Sequence, residues 1–197
     1  LSSSSAASDV YKRQEQNRWK GLVLGMLGGI AVVLAMRAYW QQVRQLTGKD
    51  PRKDFGESDV PQTDALDSIS LVGKHHQEGE SSTAALGRIV YQQVTGKEPD
   101  DETKTALSYI VHWMVSMLAG GAYGAERTRA RVVDIQGVTA LGAALWVFGD
   151  EVFMPLLGIT SGPTAYPPQL HAHSGGVHLA YGLATAASTQ ALYRLFP

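Results

Sequence analysis

Residues 135–153 read IQGVTALGAALWVFGDEVF, an apolar run that ends in two adjacent acids, Asp150 and Glu151. Between Ile135 and Phe148 only Gln136 and Thr139 carry polar side chains. Such a run reads as a helix in lipid. Ionisable groups next to a hydrocarbon core are costly, so Asp150 and Glu151 are the first candidates for a functional site. A proline-rich loop follows, and beyond it stand three histidines, His171, His173 and His178.

Working outward, the run belongs to a span of about residues 132–156, with Pro155 and Gly158 marking its end. Three more segments have comparable length. Gly21 to Trp40 holds roughly 20 residues, enough to cross a ~30 Å hydrocarbon core. Trp19 and Trp40 bracket it as an aromatic belt would, and Arg37 lies close enough to its end to snorkel. Gly21, Gly25 and Gly29 recur every four residues, which puts three glycines on one helix face open to a second backbone. In a span of about 105–125, Ser108, His112, Ser116, Gly120 and Gly124 also fall at steps of four. A ridge of small and polar residues suits a helix packed inside a bundle. The last span, about 174–195, carries Gly182, Thr185 and Thr189 below His178. The glycine ladders predict packing within one chain, with homo-oligomers as the alternative.

Residues 41–104 form a hydrophilic connection. Lys49 to Glu80 lacks periodicity and reads as loop or partial disorder. Ser81 to Val94 reads as an amphipathic helix on the membrane or the bundle, capped by Ser82 or Thr83 and ended by Thr95-Gly96. The arginine-rich link at Arg127, Arg129 and Arg131 predicts a cytoplasmic side. Thr160 to Gln169 has no Lys or Arg and falls on the far side. The expected architecture is all-α: an integral membrane four-helix bundle with an added amphipathic surface helix and both termini cytoplasmic. A three-span chain and a soluble bundle are the alternatives.

Composition narrows function. The net charge of -1 gives no basic face for nucleic acid. Without cysteine there is no disulfide, thiolate metal site or thiol chemistry. Charged residues make up 18%, below the ~25% usual for soluble domains. The expected partner is the lipid bilayer, with no cofactor and no named protein partner. Residues 1–14, LSSSSAASDVYKRQ, resemble translated sequencing-adapter DNA or a disordered serine-rich tail and are set apart from the single domain at 15–197.

Several motifs carry a resemblance. Gly124-Ala125-Glu126-Arg127 follows a helix with His112-Trp113, then come Asp150 to Gly158, Tyr166-Pro167-Pro168 and His178 to Gly182. These resemble the YagU-like family of bacterial inner-membrane proteins, over about Trp19 to Phe196. Ser188-Thr189-Gln190 departs from it, where an acid and paired arginines are expected. The resemblance implies a small helical bundle in the bacterial plasma membrane and no established reaction.

Placed on this topology, Asp150, Glu151, His112, His171, His173 and His178 converge on one outward-facing pocket. Asp150 is expected to make the internal contact and Glu151 to be the solvated member. Three chemistries fit: proton handling, since histidine titrates at about pH 6.5; a divalent metal site on imidazoles and a carboxylate; and membrane enzymology, although no catalytic motif is present. The plainer reading is interhelical hydrogen bonding, at about 0.6 kcal/mol per bond. The leading expectation is a non-enzymatic membrane protein whose cluster organises the bundle and responds to protons. A proton-coupled or divalent-metal carrier and a scaffold binding through the acidic loop are the alternatives.

Overall fold

The structure is a computed structural model that describes residues 3–50, 52, 66, 69–77, 79–126 and 135–196. Among them there is helix and no strand. The elements are α1 (Ser3–Thr47), α2 (Ser82–Thr95), α3 (Asp101–Glu126) and α4 (Ile135–Ala144). A π-helix (Leu145–Phe153) continues α4, followed by α5 (Met154–Leu156), a 3₁₀ turn (Pro163–Ala165) and α6 (Pro168–Leu195). Residues 3–14 are therefore helical and continuous with α1. The arginine-rich link and most of the acidic loop lie outside the described residues.

Glycine sets how the helices meet. A Cβ on Gly21, Gly25 or Gly29 would overlap the carbonyl group of Gly124, Gly120 or Ser116 respectively, and a Cβ on Gly120 or Gly124 would meet α1 in return. The descending order of partners makes α1 and α3 antiparallel, with backbones touching along the seam. Gly28, one position off that face, lies against Ser188 and Thr189 of α6, and the Ser188 hydroxyl donates to Gly28 O (3.0 Å). Gly142 of α4 meets the backbone of His178 and Leu179, so α4 is antiparallel to α6. Gly182 is buried. Ser108 faces a different neighbour from the rest of its ridge: its hydroxyl pairs with Thr83 of α2 (2.8 Å).

The interior mixes apolar and small polar residues: Leu24, Val32, Val177 and Tyr181 are buried alongside Ser116, Thr185 and Thr189, while Leu27, Leu34, Ile110, Met114, Leu118 and Phe148 are exposed. Among the described residues, two stretches are long and apolar enough to cross a membrane, Arg18–Thr47 and Thr139–Leu156. The helices at the expected second and fourth spans are long enough but less apolar. The Gly, Ser, Thr and His residues that pack α3 and α6 are the ones that dilute their apolar character.

Helix α2 is seated by polar contacts the sequence does not announce. Ser81 caps it, its hydroxyl accepting from Ala84 N, and Gly96 ends it at φ 69°. Arg88 and Glu80 form a bidentate pair, with Arg88 Nε and Nη2 each donating to Glu80 at 2.9 Å and side-chain exposures of only 7% and 3%. Burial alone raises the Glu80 carboxyl. The hydrogen bonds from Arg88 and the Gln77 amide, with the charges of Arg88 and Lys104, outweigh it and hold the group below its ordinary range. The preceding strap also docks. Leu71 N donates to Leu156 O (3.0 Å) and His75 N to Gly158 O (2.8 Å), which satisfies carbonyls at the end of α5. Residues 69–77, read from sequence as part of a loop without periodicity, cap the end of α5.

Two predictions follow from these contacts. Gly25→Val should destabilise the α1–α3 seam by about 1–3 kcal/mol, as overpacking does, in a thermal melt of detergent-solubilised protein. Gly149→Ala, where an added Cβ meets nothing within 4 Å, should be silent. Because Glu80 is held below its ordinary value, its contribution is present above the unfolded carboxylate pKa of about 4.3 and is lost as pH falls through the lower folded value. Hydrogen-exchange protection of α2 should fall with acidification below about pH 4.5, and Glu80→Gln should remove that dependence.

Candidate functional site

The two acids of the opening stretch lie in the π-helix, where hydrogen bonds run i→i+5, as from Met154 N to Gly149 O. This winding decides where they point. On an α-helix Trp146 and Glu151, five residues apart, would stand about 140° from each other. Here Trp146 Nε1 donates to Glu151 Oε1 at 2.9 Å. With 3.6 residues per turn, Gly142, Trp146 and Asp150 would share one face at steps of four; the π winding breaks that face from Leu145 onward. Pro155 has no N–H to give to the ladder, so regular winding is interrupted there. The helix then closes in a Schellman pattern, with Ile159 N on Met154 O (2.9 Å), Gly158 N on Pro155 O (2.9 Å) and Gly158 at φ 65°.

Opposite it, α6 begins at Pro168, a turn and a half before the expected span. Pro168 occupies the first helical position, where a missing N–H costs nothing. The early start puts His171, Ser174 and His178 on one helix face. His171 Nδ1 donates to Glu151 Oε1 at 2.7 Å. The Ser174 hydroxyl donates to Asp150 Oδ2 at 2.9 Å, and His178 Nε2 stands 3.7 Å from the same oxygen. His178 Nδ1 donates to Ser174 O (2.9 Å). The result is one bonded carboxylate–imidazole pair, Glu151–His171, beside a looser approach of His178 to Asp150, not one six-membered cluster.

The remaining candidates are placed differently from expectation. His173 projects to the opposite side and packs its ring on Trp40 of α1, with centroids 6.2 Å apart, because two steps along an α-helix turn a side chain by about 200°. His112 makes no hydrogen bond among the described residues and stands on the wall of an inner cavity that it shares with Asp150 and His178. Both acids make internal contacts, Asp150 with Ser174 of α6 and Glu151 with Trp146 and His171. Glu151 has two partners and 19% side-chain exposure, whereas Asp150 is 40% exposed. The cause is the π winding, which turns Glu151 onto Trp146 and α6. Among the described residues no three His, Asp or Glu side chains gather closely enough to hold a metal ion.

Asp150 separates two spaces. An outer vestibule of about 140 Å³ is lined by Glu151, His171, Ser161 and Tyr166. An inner chamber of about 280 Å³, half open to the outside like the vestibule, runs under α2 down to Ser116 and Tyr181, whose hydroxyl donates to Ser116 O (3.2 Å). His76 was not read as a site residue, yet it is buried at the vestibule rim between Gly158 O (3.1 Å) and the Ser161 hydroxyl (3.1 Å). Trp146 and Ser174 were also missed. Ser174 had a legible signal, four residues before His178; Trp146 had none, because α-helical spacing points it elsewhere.

No protein-family model, no curated protein and no solved structure matches the chain.

A double-mutant cycle on Glu151 and His171, each changed to Ala, should give a coupling of about 0.6 kcal/mol and up to ~1.7. The same cycle on Glu151 and His173 should give none.

Proposed function

We propose that the chain is a multi-pass membrane protein of the bacterial plasma membrane, with both termini cytoplasmic, in which the Glu151–His171 pair locks the outer mouth of a four-helix bundle and adjusts it to protonation. The observation that carries the membrane reading is the large number of exposed Leu, Ile, Met and Phe side chains on helices whose closest contacts are made by Gly, Ser and Thr. In water this arrangement would leave a large apolar surface exposed. In lipid it is the expected one, since backbone approach and hydrogen bonds, not hydrophobic burial, hold helices together. The two stretches of spanning length support it. So does the shared orientation of the long helices: α1 and α4 run one way, α3 and α6 the other. The motifs at Asp150 to Gly158 and His178 to Gly182 support placement beside the YagU-like proteins.

The functional part of the proposal rests on His171 and Glu151. At 2.7 Å the contact becomes a full ion pair when the imidazole is protonated, and imidazole is the side chain whose charge changes near neutrality. Protonation then tightens the link between the π-helix and the first turns of α6. A structural and proton-responsive role is favoured over metal carriage because the ligand set is split.

Reporter fusions at Arg129 and Gly162 should report opposite sides of the membrane; the same side at both would end the four-span topology. In nanodiscs, hydrogen-exchange protection of residues 168–178 should rise as pH is lowered, and His171→Gln should flatten the response. An unchanged profile in that variant would remove the proton-responsive role.

A further inference from the structure

The inner chamber is not used by the pairing that locks the mouth. Its volume of about 280 Å³ is at the small end of ligand pockets, which run ~300–1,000 Å³. It exists because the α1–α3 seam closes at Gly29 and Ser116, and above that level Met36, Trp40, Val111 and Val115 face a space instead of each other's backbones. The walls are largely apolar; Asp150, His178 and His112 gather at one end, the hydroxyls of Ser82 and Thr83 line the α2 side, and Ser116 and Tyr181 lie at the foot.

The hydrogen-bonding capacity of that end is one-sided. His178 spends its Nδ1 proton on Ser174 O, so Nε2 of the neutral ring is an acceptor. Asp150 receives one hydrogen bond, on Oδ2, and its carboxylate keeps further acceptor positions. The 3.7 Å between Asp150 Oδ2 and His178 Nε2 is too long for a direct hydrogen bond. His112 has no hydrogen-bond partner among the described residues, and no Lys or Arg lines the chamber. Open acceptors, a carboxylate and apolar walls call for a ligand that brings donors, positive charge and an apolar body. A polyol would strand its hydroxyls against Met36, Val111 and Val115. A bare divalent cation finds no third ligand.

We propose that the chamber binds a small amphipathic organic cation, a protonated primary amine with an apolar body. The ammonium donates to Asp150 and to Nε2 of His178, the body lies against Val111, Val115 and Leu145, and α2 covers the site through Ser82 and Thr83. This deepens the reading of the mouth and rests on it in that both use Asp150 as the divide between vestibule and chamber.

The test is calorimetric titration of the purified full chain in detergent micelles. The probes are phenethylamine, the neutral isostere 2-phenylethanol, and methylammonium, which has the charge without the body. Phenethylamine should bind saturably at one site, with both comparators at least tenfold weaker. Asp150→Asn should weaken phenethylamine at least tenfold and leave 2-phenylethanol unchanged. Gly149 lines the chamber and has open space at its Cβ position, so Gly149→Phe should abolish binding while the protein stays monodisperse. Phenethylamine binding no tighter than either comparator would overturn the proposal, as would full affinity in Asp150→Asn. Should Asp150→Asn fail to fold, full affinity in Gly149→Phe overturns it equally. Failure here leaves the fusion and exchange results untouched, so loss of the ligand and loss of the membrane reading are distinguishable.

Discussion

The close approach of α1 to α3 is the constraint from which the rest of the molecule follows. Gly21, Gly25 and Gly29 face Gly124, Gly120 and Ser116 with no room for a side chain between them. Two helices in that contact gain dispersion and backbone electrostatics over their whole seam without burying a large apolar residue. Apolar side chains such as Leu27, Ile110, Met114 and Leu118 are thereby left on the outer surface. The same seam fixes the level at which the helices part, and so the depth of the chamber beneath α2.

The second organising element is the end of the third helix. Its carbonyls are not left to solvent: Leu156 O and Gly158 O receive hydrogen bonds from Leu71, His75 and His76. The strap that provides them leads directly into Glu80 and the buried Arg88 pair, so the seating of α2 and the capping of the π-helix are mechanically continuous. Movement of the strap would reach both the vestibule rim and the roof of the chamber. Buried ion pairs fix geometry more reliably than they add stability, and here the Arg88–Glu80 pair fixes a roof.

Much of this was legible in the sequence, and the limits have physical causes. Helical periodicity and the Thr95-Gly96 stop placed α2 within a residue at each end. Four-residue spacing marked the glycine face, because helix contacts repeat near that interval. Apolar run length identified two stretches long and apolar enough to span a membrane, but it overstated α3 and α6, whose packing residues are polar or small. The pairing of Glu151 with His171 and Trp146 was out of reach, since every inference about facing residues assumed 3.6 residues per turn. His173 was assigned to the cluster because the helix was expected to begin after it; once α6 starts at Pro168, alternate histidines must point apart. Arg88 left a trace that went unread: a lone cation on the buried side of α2, beside Ala85 and Gly87.

The π-helix also bears on how chains of this kind should be compared. Each of its turns takes in close to one residue more than an α-turn, so Leu145–Phe153 holds surplus residues over the same rise. A related chain with an ordinary helix there would keep both helix ends in place and be shorter by one or two residues. Its correct alignment would carry a gap inside a helix, at the level of Asp150 and Glu151, where alignment procedures penalise gaps most heavily. Forced through without the gap, such a comparison would set these acids opposite residues on another face of the helix and hide the difference that makes the site.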